Sequence, residues 1–263
     1  MFVLRLRALL LSTLLLTQLT LAAPDYSETV RLGREALKAR DAATGMKYAQ
    51  EAMELKPEEF ESLRLFGRAL AAQKDFKQAL EFVEKALVLR PDDMESLRTQ
   101  SLCYFEMGEV EKAHQLLRSA IEKFPDEASL YYNRAYYQMS RDNLDLTRAR
   151  EAVSDLTQAI ALDPLDPESY TNRAWLYIAM GQYTDAIVDL NKAIDLNPNR
   201  GQSYVSLALL YLDTGDKPRA IHTLQECLKL EGEPNKEWVG KARELLDQLK
   251  DENEAENSRA EPA

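Results

Sequence analysis

The sequence lacks the residues and motifs on which several common classes of function depend. It contains two cysteines and two histidines, and no Cys-x-x-Cys pair, glycine-rich phosphate loop, His-Glu-x-x-His or nucleophile-elbow motif occurs. The formal charge is −11, and no cluster of Lys and Arg provides the cationic surface that phosphate binding requires. We therefore expect a protein that is not an enzyme, with no cofactor, metal, small-molecule substrate or nucleic-acid partner.

The first 23 residues differ in composition from the rest of the chain. Arg5 and Arg7 precede 16 uncharged residues, 8–23, which end in two alanines. A cationic start, an apolar middle and a small-residue end are typical of a secretory signal peptide. The run is also shorter than the roughly 20 apolar residues that span a bilayer. We expect residues 1–23 to be cleaved and the mature protein to be exported, either periplasmic or secreted. The alternative is an uncleaved anchor that holds the chain on the exported side of a membrane.

A repeated pattern follows the first 25 residues. Five segments end in a proline, and successive prolines are 34, 34, 39 and 34 residues apart: Pro57, Pro91, Pro125, Pro164 and Pro198. Two small residues recur at fixed positions before each proline, such as Ala79 and Ala86 before Pro91. Apolar residues within each copy recur at helical spacings, and proline cannot continue a helix. Each copy therefore predicts two helices, whose small residues allow close packing.

These residues resemble the tetratricopeptide (TPR) repeat family. In the second copy the matching positions are Leu63, Phe66, Gly67, Leu70, Ala79, Val83, Ala86 and Pro91. The copies span 26–59, 60–93, 94–127, 128–166, 167–200 and 201–234, so the resemblance covers nearly all of the chain after residue 25. It implies an all-α fold, an α–α superhelix of six helix-turn-helix repeats. Gln100, Arg134 and Arg173 depart from the family pattern, because their column usually holds large apolar residues.

Two further segments follow the sixth copy. Residues 235–250 place Trp238, Ala242 and Leu249 on one helical stripe, with Asn235 as a candidate N-cap, which predicts a capping helix on the last repeat. Residues 251–263 carry five acids, one arginine and no large apolar residue, so we expect a disordered acidic tail. Cys103 and Cys227 lie three repeats apart, as do His114 and His222, so we expect two unpaired thiols and no shared metal site.

The resemblance also implies where a partner would bind, because first helices line the concave groove of the family's superhelix. The inward positions include ten candidate partner-binding residues: Arg34, Arg64, Arg68, Arg98, Phe105, Tyr132, Tyr136, Trp175, Ile178 and Leu209. Lys38, Leu102, Val205 and Leu212 share those positions. The groove would suit a peptide that is acidic at one end and apolar or aromatic at the other. Alternatively, the arginines pair with acids of adjacent helices, and the aromatic side chains pack against neighbouring helices.

The sequence thus predicts a non-catalytic scaffold of an exported compartment that binds a peptide or extended segment of another protein. A carboxylate clamp known from some family members is not supported, because Asn133 and Asn172 lack the flanking basic residues it needs. The alternative functions are a self-assembling structural protein, or a membrane-anchored assembly factor that retains its N-terminal helix.

Overall fold

The computed structural model describes residues 25–140, 145–230, 232 and 235–260, with side chains described as far as Asp251. The predicted signal peptide, residues 1–23, lies outside the described residues. Within the described ranges the chain forms thirteen helices and no strand, which confirms the all-α fold class. None of these helices is both long enough and apolar enough to cross a membrane.

The helices follow one another with short connections. Their bounds are α1 Tyr26–Lys38, α2 Ala42–Leu55, α3 Phe60–Ala72, α4 Phe76–Leu89, α5 Met94–Glu106, α6 Val110–Lys123, α7 Ala128–Met139, α8 Leu146–Leu162, α9 Pro167–Ala179, α10 Tyr183–Leu196, α11 Gly201–Asp213, α12 Lys217–Leu228 and α13 Lys236–Ala260. This order is consistent with six helix pairs and a final single helix.

The chain divides into two compact units, with the boundary after Leu116, inside α6. In the first unit α1 packs on α2 and α3 on α4, around a core that includes Val30, Ala49 and Leu65. In the second unit α7 packs on α8, α9 on α10, and α11 on α12 and α13. Each unit therefore buries the apolar faces of its own helices.

Small residues lie where paired helices approach each other. Both predicted small columns are buried throughout, from Gly45 and Ala52 in α2 to Ala220 and Cys227 in α12. At Gly67 of α3, an added Cβ would lie 2.7 Å from the Cγ2 atom of Val83 in α4. No larger residue fits there without moving the helices apart, which explains the small residues that the sequence pattern requires.

In five of the six helix pairs, the described turn between the two helices contains one residue with a left-handed backbone. Gly108, Gly181 and Gly215 occupy this turn with φ angles of 81°, 73° and 80°. In the first two pairs Arg40 and Lys74 take the same conformation, at φ 61° and 66°. Because left-handed φ is favourable only for glycine and costs other residues roughly 1–2 kcal/mol, the first two turns carry strain that the turns at Gly108, Gly181 and Gly215 avoid.

The arginines that depart from the family pattern are half-buried and form ion pairs with buried aspartates in the second unit. Arg134 of α7 donates to both carboxylate oxygens of Asp155 in α8, at 2.8 and 2.6 Å. Arg173 of α9 makes the same two-bond contact with Asp189 of α10, at 2.7 and 2.8 Å. The long apolar stems of these arginines fill the place of the usual large residue, while the aspartates satisfy the charge.

The C-terminal helix differs from its prediction in length. Helix α13 continues to Ala260, whereas we expected a helix of 235–250 followed by disorder. Residues 251–260 contain no proline or glycine, and Glu and Ala have high helix propensity, so an existing helix extends through them at little cost.

Asn235, which precedes α13, forms hydrogen bonds with the start of the sixth pair. Its Oδ1 accepts from the N–H of Gly201 at 2.9 Å, and its Nδ2 donates to the Asn199 carbonyl at 2.8 Å.

Candidate binding pocket in the second unit

Three of the four predicted arginines of the first unit form ion pairs with nearby acids. Glu61 of α3 accepts from Arg34 of α1 at 3.0 Å and from Arg64 at 2.6 Å. Arg64 also pairs with Asp93 at 3.2 Å and Glu95 at 3.3 Å, and Arg68 pairs with Glu95. The structure thus brings together three of the predicted cations, but it neutralises them internally.

Burial limits what this ionic network can bind. Arg64 is buried and stacks on the Phe60 ring, with its Cζ 5.1 Å from the ring centroid. Desolvation lowers the pKa of Arg68 and raises the pKa of Glu61, and nearby opposite charges act against both shifts. Because each cation already has a carboxylate partner, an acidic ligand would have to displace that partner to gain an ion pair. Arg98 and Phe105 of α5 are half-buried in the same unit.

The second unit contains a pocket that is lined mainly by first helices of its repeats. It has a volume of about 240 Å³. Apolar and aromatic side chains form part of its lining: Tyr136, Met139, Trp175, Ile178 and Leu190. Short polar side chains complete it: Ser140, Thr171, Asn172, Gln202 and Ser206. Helices α7, α9, α10 and α11 each contribute, so the pocket depends on the packing of successive pairs.

Two large aromatic side chains of the pocket are exposed to solvent. Trp175 is 50% exposed and Tyr136 is 43% exposed, although both lie on helices whose other faces are buried. Exposing so much aromatic surface costs free energy that a partner could recover by covering it. Trp and Tyr are also the residues most enriched at binding hot spots. The structure therefore places two of the predicted partner-binding residues in one concave site.

Tyr132 supports the pocket from one side. Its ring stacks parallel to that of Tyr136, with centroids 6.3 Å apart and planes at 8°. Its hydroxyl accepts a hydrogen bond from Nδ2 of Asn172 at 3.2 Å. Burial raises the pKa of Tyr132 above its usual value, so this hydroxyl stays neutral at physiological pH. The stack and the hydrogen bond hold Tyr136 and Asn172 in place before any ligand arrives.

The structure separates the remaining predicted groove residues into two groups. Ile178 lines the pocket and Leu209 is exposed on α11. Val205 does not lie on a groove: it is 2% exposed and packs against Ala242 and Leu246 of α13. Leu212 also packs into the core of the last pair. The interpretation of Val205 as an inward groove position was wrong, because the capping helix covers it.

The size and composition of the pocket indicate what it can hold. Sites for drug-sized molecules are usually about 300–1,000 Å³, so a pocket of about 240 Å³ is better matched to one or two amino-acid side chains. No group of three His, Cys, Asp or Glu residues within the described part of the chain could hold a metal. The pocket residues offer contact area and neutral hydrogen-bonding groups.

The sequence reasoning missed the polar half of this pocket. Gln202 and Ser206 lie on α11 and line the same pocket as Trp175, and Ser140 follows directly after α7. In the family's repeat, the second, fifth, ninth and twelfth positions of each copy face inward. Gln202 is the second residue of copy 201–234, so this register could have identified it. Ser140 follows the end of α7, where the position within the repeat says nothing about the direction of a side chain.

The repeats of this chain match sequence models of a known family. Sequence models of the tetratricopeptide repeat match residues 30–93, 71–135, 167–200 and 201–234. A comparison with curated proteins finds no match. The last two matched ranges coincide with the fifth and sixth copies read from the prolines, and together the four ranges cover most of the chain after residue 25.

Several solved structures share the fold. A thermophilic TPR protein of Thermus thermophilus aligns with a TM-score of 0.62 at 22% identity, over 71% of this chain and 99% of that one. The pilF protein of Pseudomonas aeruginosa aligns with a TM-score of 0.64 at 16% identity, over 82% and 96%. YrrB, a TPR protein with an unusual peptide-binding site, aligns with a TM-score of 0.54 at 16% identity, over 74% and 97%. The repeat matches and the shared helix-pair architecture show that this chain belongs to the tetratricopeptide-repeat family.

Proposed function

We propose that this protein is a non-catalytic scaffold that binds a segment of a partner protein through the pocket around Trp175 and Tyr136. Proteins of the tetratricopeptide-repeat family generally mediate protein–protein interactions, and the YrrB structure is described as having a peptide-binding site. The observation that carries the proposal is the concave site in which two half-exposed aromatic side chains meet neutral polar groups.

The ligand in this proposal is apolar or aromatic where it enters the pocket. The expected acidic end of the ligand has less support, because Glu61, Asp93 and Glu95 neutralise Arg34, Arg64 and Arg68. The proposal therefore rests on the second unit alone, and a partner needs no charge to bind there.

Export is part of the same proposal. Its support is the sequence of residues 1–23, with a cationic start, an uncharged middle and a small-residue end. In this proposal the partner is another exported or envelope protein. Expression of the full chain followed by N-terminal sequencing of the product would test it: a mature terminus at Ala23 or Pro24 supports cleavage, and an intact Met1 supports an anchor.

Self-assembly through the C-terminal end is the weaker alternative. The outer face of α13 carries exposed ion pairs, Lys241 with Glu244 at 3.1 Å and Lys250 with Asp247 at 3.2 Å. A further repeat stacked on this face would have to bury those charges, which is unfavourable. Light scattering of the purified protein gives the measurement, since a single species with the mass of one chain would be incompatible with end-to-end stacking.

The binding proposal is tested with a fluorescent reporter that the chain provides. The sequence has two tryptophans, so Trp238→Phe leaves Trp175 as the sole indole. Peptides selected from a phage-displayed random library on the full chain are titrated while Trp175 emission is recorded. Covering a half-exposed indole removes water from it, and we expect a shift of the emission to shorter wavelength.

Matched variants then assign the site, with affinities of the labelled peptides measured by fluorescence anisotropy. Tyr136→Ala and Trp175→Ala should each weaken binding by about 30-fold, the loss expected for a hot-spot side chain. The control is Tyr183→Ala, because Tyr183 of α10 is 40% exposed but does not line the pocket. Equal affinities for wild type, Trp175→Ala and Tyr183→Ala would remove the pocket from the proposal.

A further inference from the structure

The pocket in the second unit is electrically neutral. Among the described residues that line it, none carries a formal charge. An ionic group that contacts the lining is Arg200, which donates to Oε1 of Gln202 at 3.0 Å and pairs with Glu168 of α9. Any ionised side chain that entered this site would lose water without meeting an unpaired opposite charge on the lining. Such a transfer is strongly unfavourable, whereas an apolar side chain gains free energy from the same burial.

Two amide side chains of the pocket have unused hydrogen-bonding atoms. A guanidinium can only donate, so the contact with Arg200 fixes the Gln202 oxygen toward Arg200 and leaves Nε2 without a partner in the described part of the chain. Asn172 uses its Nδ2 in the bond to Tyr132, and its Oδ1 accepts no hydrogen bond from any described residue. The two amides of the pocket thus offer one unused donor from α11 and one unused acceptor from α9.

This donor and acceptor suit one backbone conformation of a ligand better than another. An α-helix satisfies its own backbone N–H and C=O groups, apart from those at its ends, and has little use for external amides. An extended segment leaves these groups free, and side-chain amides can satisfy them. A donor and an acceptor beside an apolar cavity therefore favour an extended ligand over an amphipathic helix.

From these observations we infer that the pocket selects an uncharged apolar side chain of an extended segment and rejects Asp, Glu, Lys and Arg at that position. Asn172 accepts from the backbone N–H of the selected residue, and Gln202 donates to a backbone carbonyl next to it. Tyr136 and Trp175 contact the inserted side chain. The inference rests on the proposed function and specifies its ligand.

The probe is a set of five synthetic peptide pools. Each pool contains acetylated and amidated nonapeptides whose central residue is Leu, Phe, Gln, Glu or Lys, with uncharged residues at the other eight positions. Affinities are measured by Trp175 emission in the full chain carrying Trp238→Phe. We expect the Leu and Phe pools to bind at least about tenfold tighter than the Glu and Lys pools, and the Gln pool to lie between them.

A second arm tests the backbone contact. Methylating the central amide nitrogen of the Leu pool removes one donor and should weaken binding to the reporter protein about fivefold to tenfold. In Asn172→Ala the same methylation should have no effect, because the acceptor is already absent. The control is Asn191→Ala: Asn191 of α10 is exposed and its amide donates to the Ile187 carbonyl of its own helix, so its loss should leave the methylation effect unchanged.

The outcomes separate the inference from the proposal beneath it. Equal affinity for the Leu, Glu and Lys pools would overturn the charge selection while leaving peptide binding in place. The same methylation effect in the reporter protein and in Asn172→Ala would overturn the backbone contact. Absence of any emission change with all five pools would overturn the proposed function itself.

Discussion

Removing the carboxylate of Asp189 should destabilise the second unit more than most single substitutions. Asp189 is 3% exposed and accepts two bonds from Arg173, at 2.7 and 2.8 Å. Among the described residues, Arg173 keeps one other side-chain hydrogen bond, from its Nη1 to the Thr157 hydroxyl at 3.0 Å. Asp189→Ala would therefore leave a largely buried guanidinium without its counter-ion.

The expected magnitude follows from the cost of an uncompensated buried charge. Breaking a buried ion pair by removing one partner costs about 3–5 kcal/mol, and native domains are stable by only about 5–15 kcal/mol. Asp189→Asn keeps one acceptor oxygen in the same shape and should lose about half as much. The double variant Arg173→Met/Asp189→Ala removes the charge as well, and should recover at least about 2 kcal/mol relative to Asp189→Ala.

Urea denaturation followed by circular dichroism measures these differences as changes in the free energy of unfolding. Arg31→Ala serves as the control, since Arg31 pairs with Glu28 and Glu35 on an exposed helix face and its loss should have no measurable effect. A loss below about 1 kcal/mol in Asp189→Ala, or a double variant no more stable than Asp189→Ala, would show that the pair does not act as a buried ion pair.

Three further predictions test other parts of the fold. Gly181→Ala should destabilise the protein by about 1 kcal/mol and Lys74→Gly should stabilise it by a similar amount, because both positions have positive φ. Thermal unfolding measures both changes in stability, and changes of the same sign would contradict the argument. An alanine Cβ at Gly201 would lie 2.7 Å from Cβ of Trp238, so Gly201→Ala should lower the free energy of unfolding by about 1–3 kcal/mol and increase hydrogen exchange in α13. Unchanged hydrogen exchange in α13 would refute this close contact. Burial raises the pKa of the Cys227 thiol from about 9 to about 11. Between these pH values the thiol loses its proton more readily in the unfolded chain, so the free energy of unfolding should fall as the pH rises from 9 to 11. At pH 8, iodoacetamide should react far more slowly with the native protein than with the protein unfolded in urea, and similar rates would contradict the burial of this thiol.

Local patterns in the sequence were enough to predict the helices. In the second to sixth pairs, the first helices begin at Phe60, Met94, Ala128, Pro167 and Gly201. The proline spacing predicts the starts of the copies at the same residues. Helix periodicity, proline stops and small residues at close contacts act over a few residues, so they can be read without knowledge of the fold. The extent of α13 was not predicted, because acidic composition is typical of disorder as well as of exposed helix.

Tertiary packing decided which predicted groove residues are available to a partner. The helical register predicts inward positions for both Val205 and Leu209 of the same helix, yet α13 covers Val205 and leaves Leu209 exposed. Arg64 also holds an inward position, but Glu61 and Asp93 neutralise it. A helical register gives the direction of a side chain from its own axis, but not what the next helix places opposite it.

The sequence by itself determined that the chain is a series of helix pairs. It also determined which face of α7 carries Tyr136 and which face of α9 carries Trp175. Only the tertiary structure decided that these two side chains share a pocket with Asn172 and Gln202, and that Arg34, Arg64 and Arg68 are paired internally. The physical reason is one of range: helix formation depends on neighbours in sequence, whereas the composition of a pocket depends on side chains from four helices, brought together by packing.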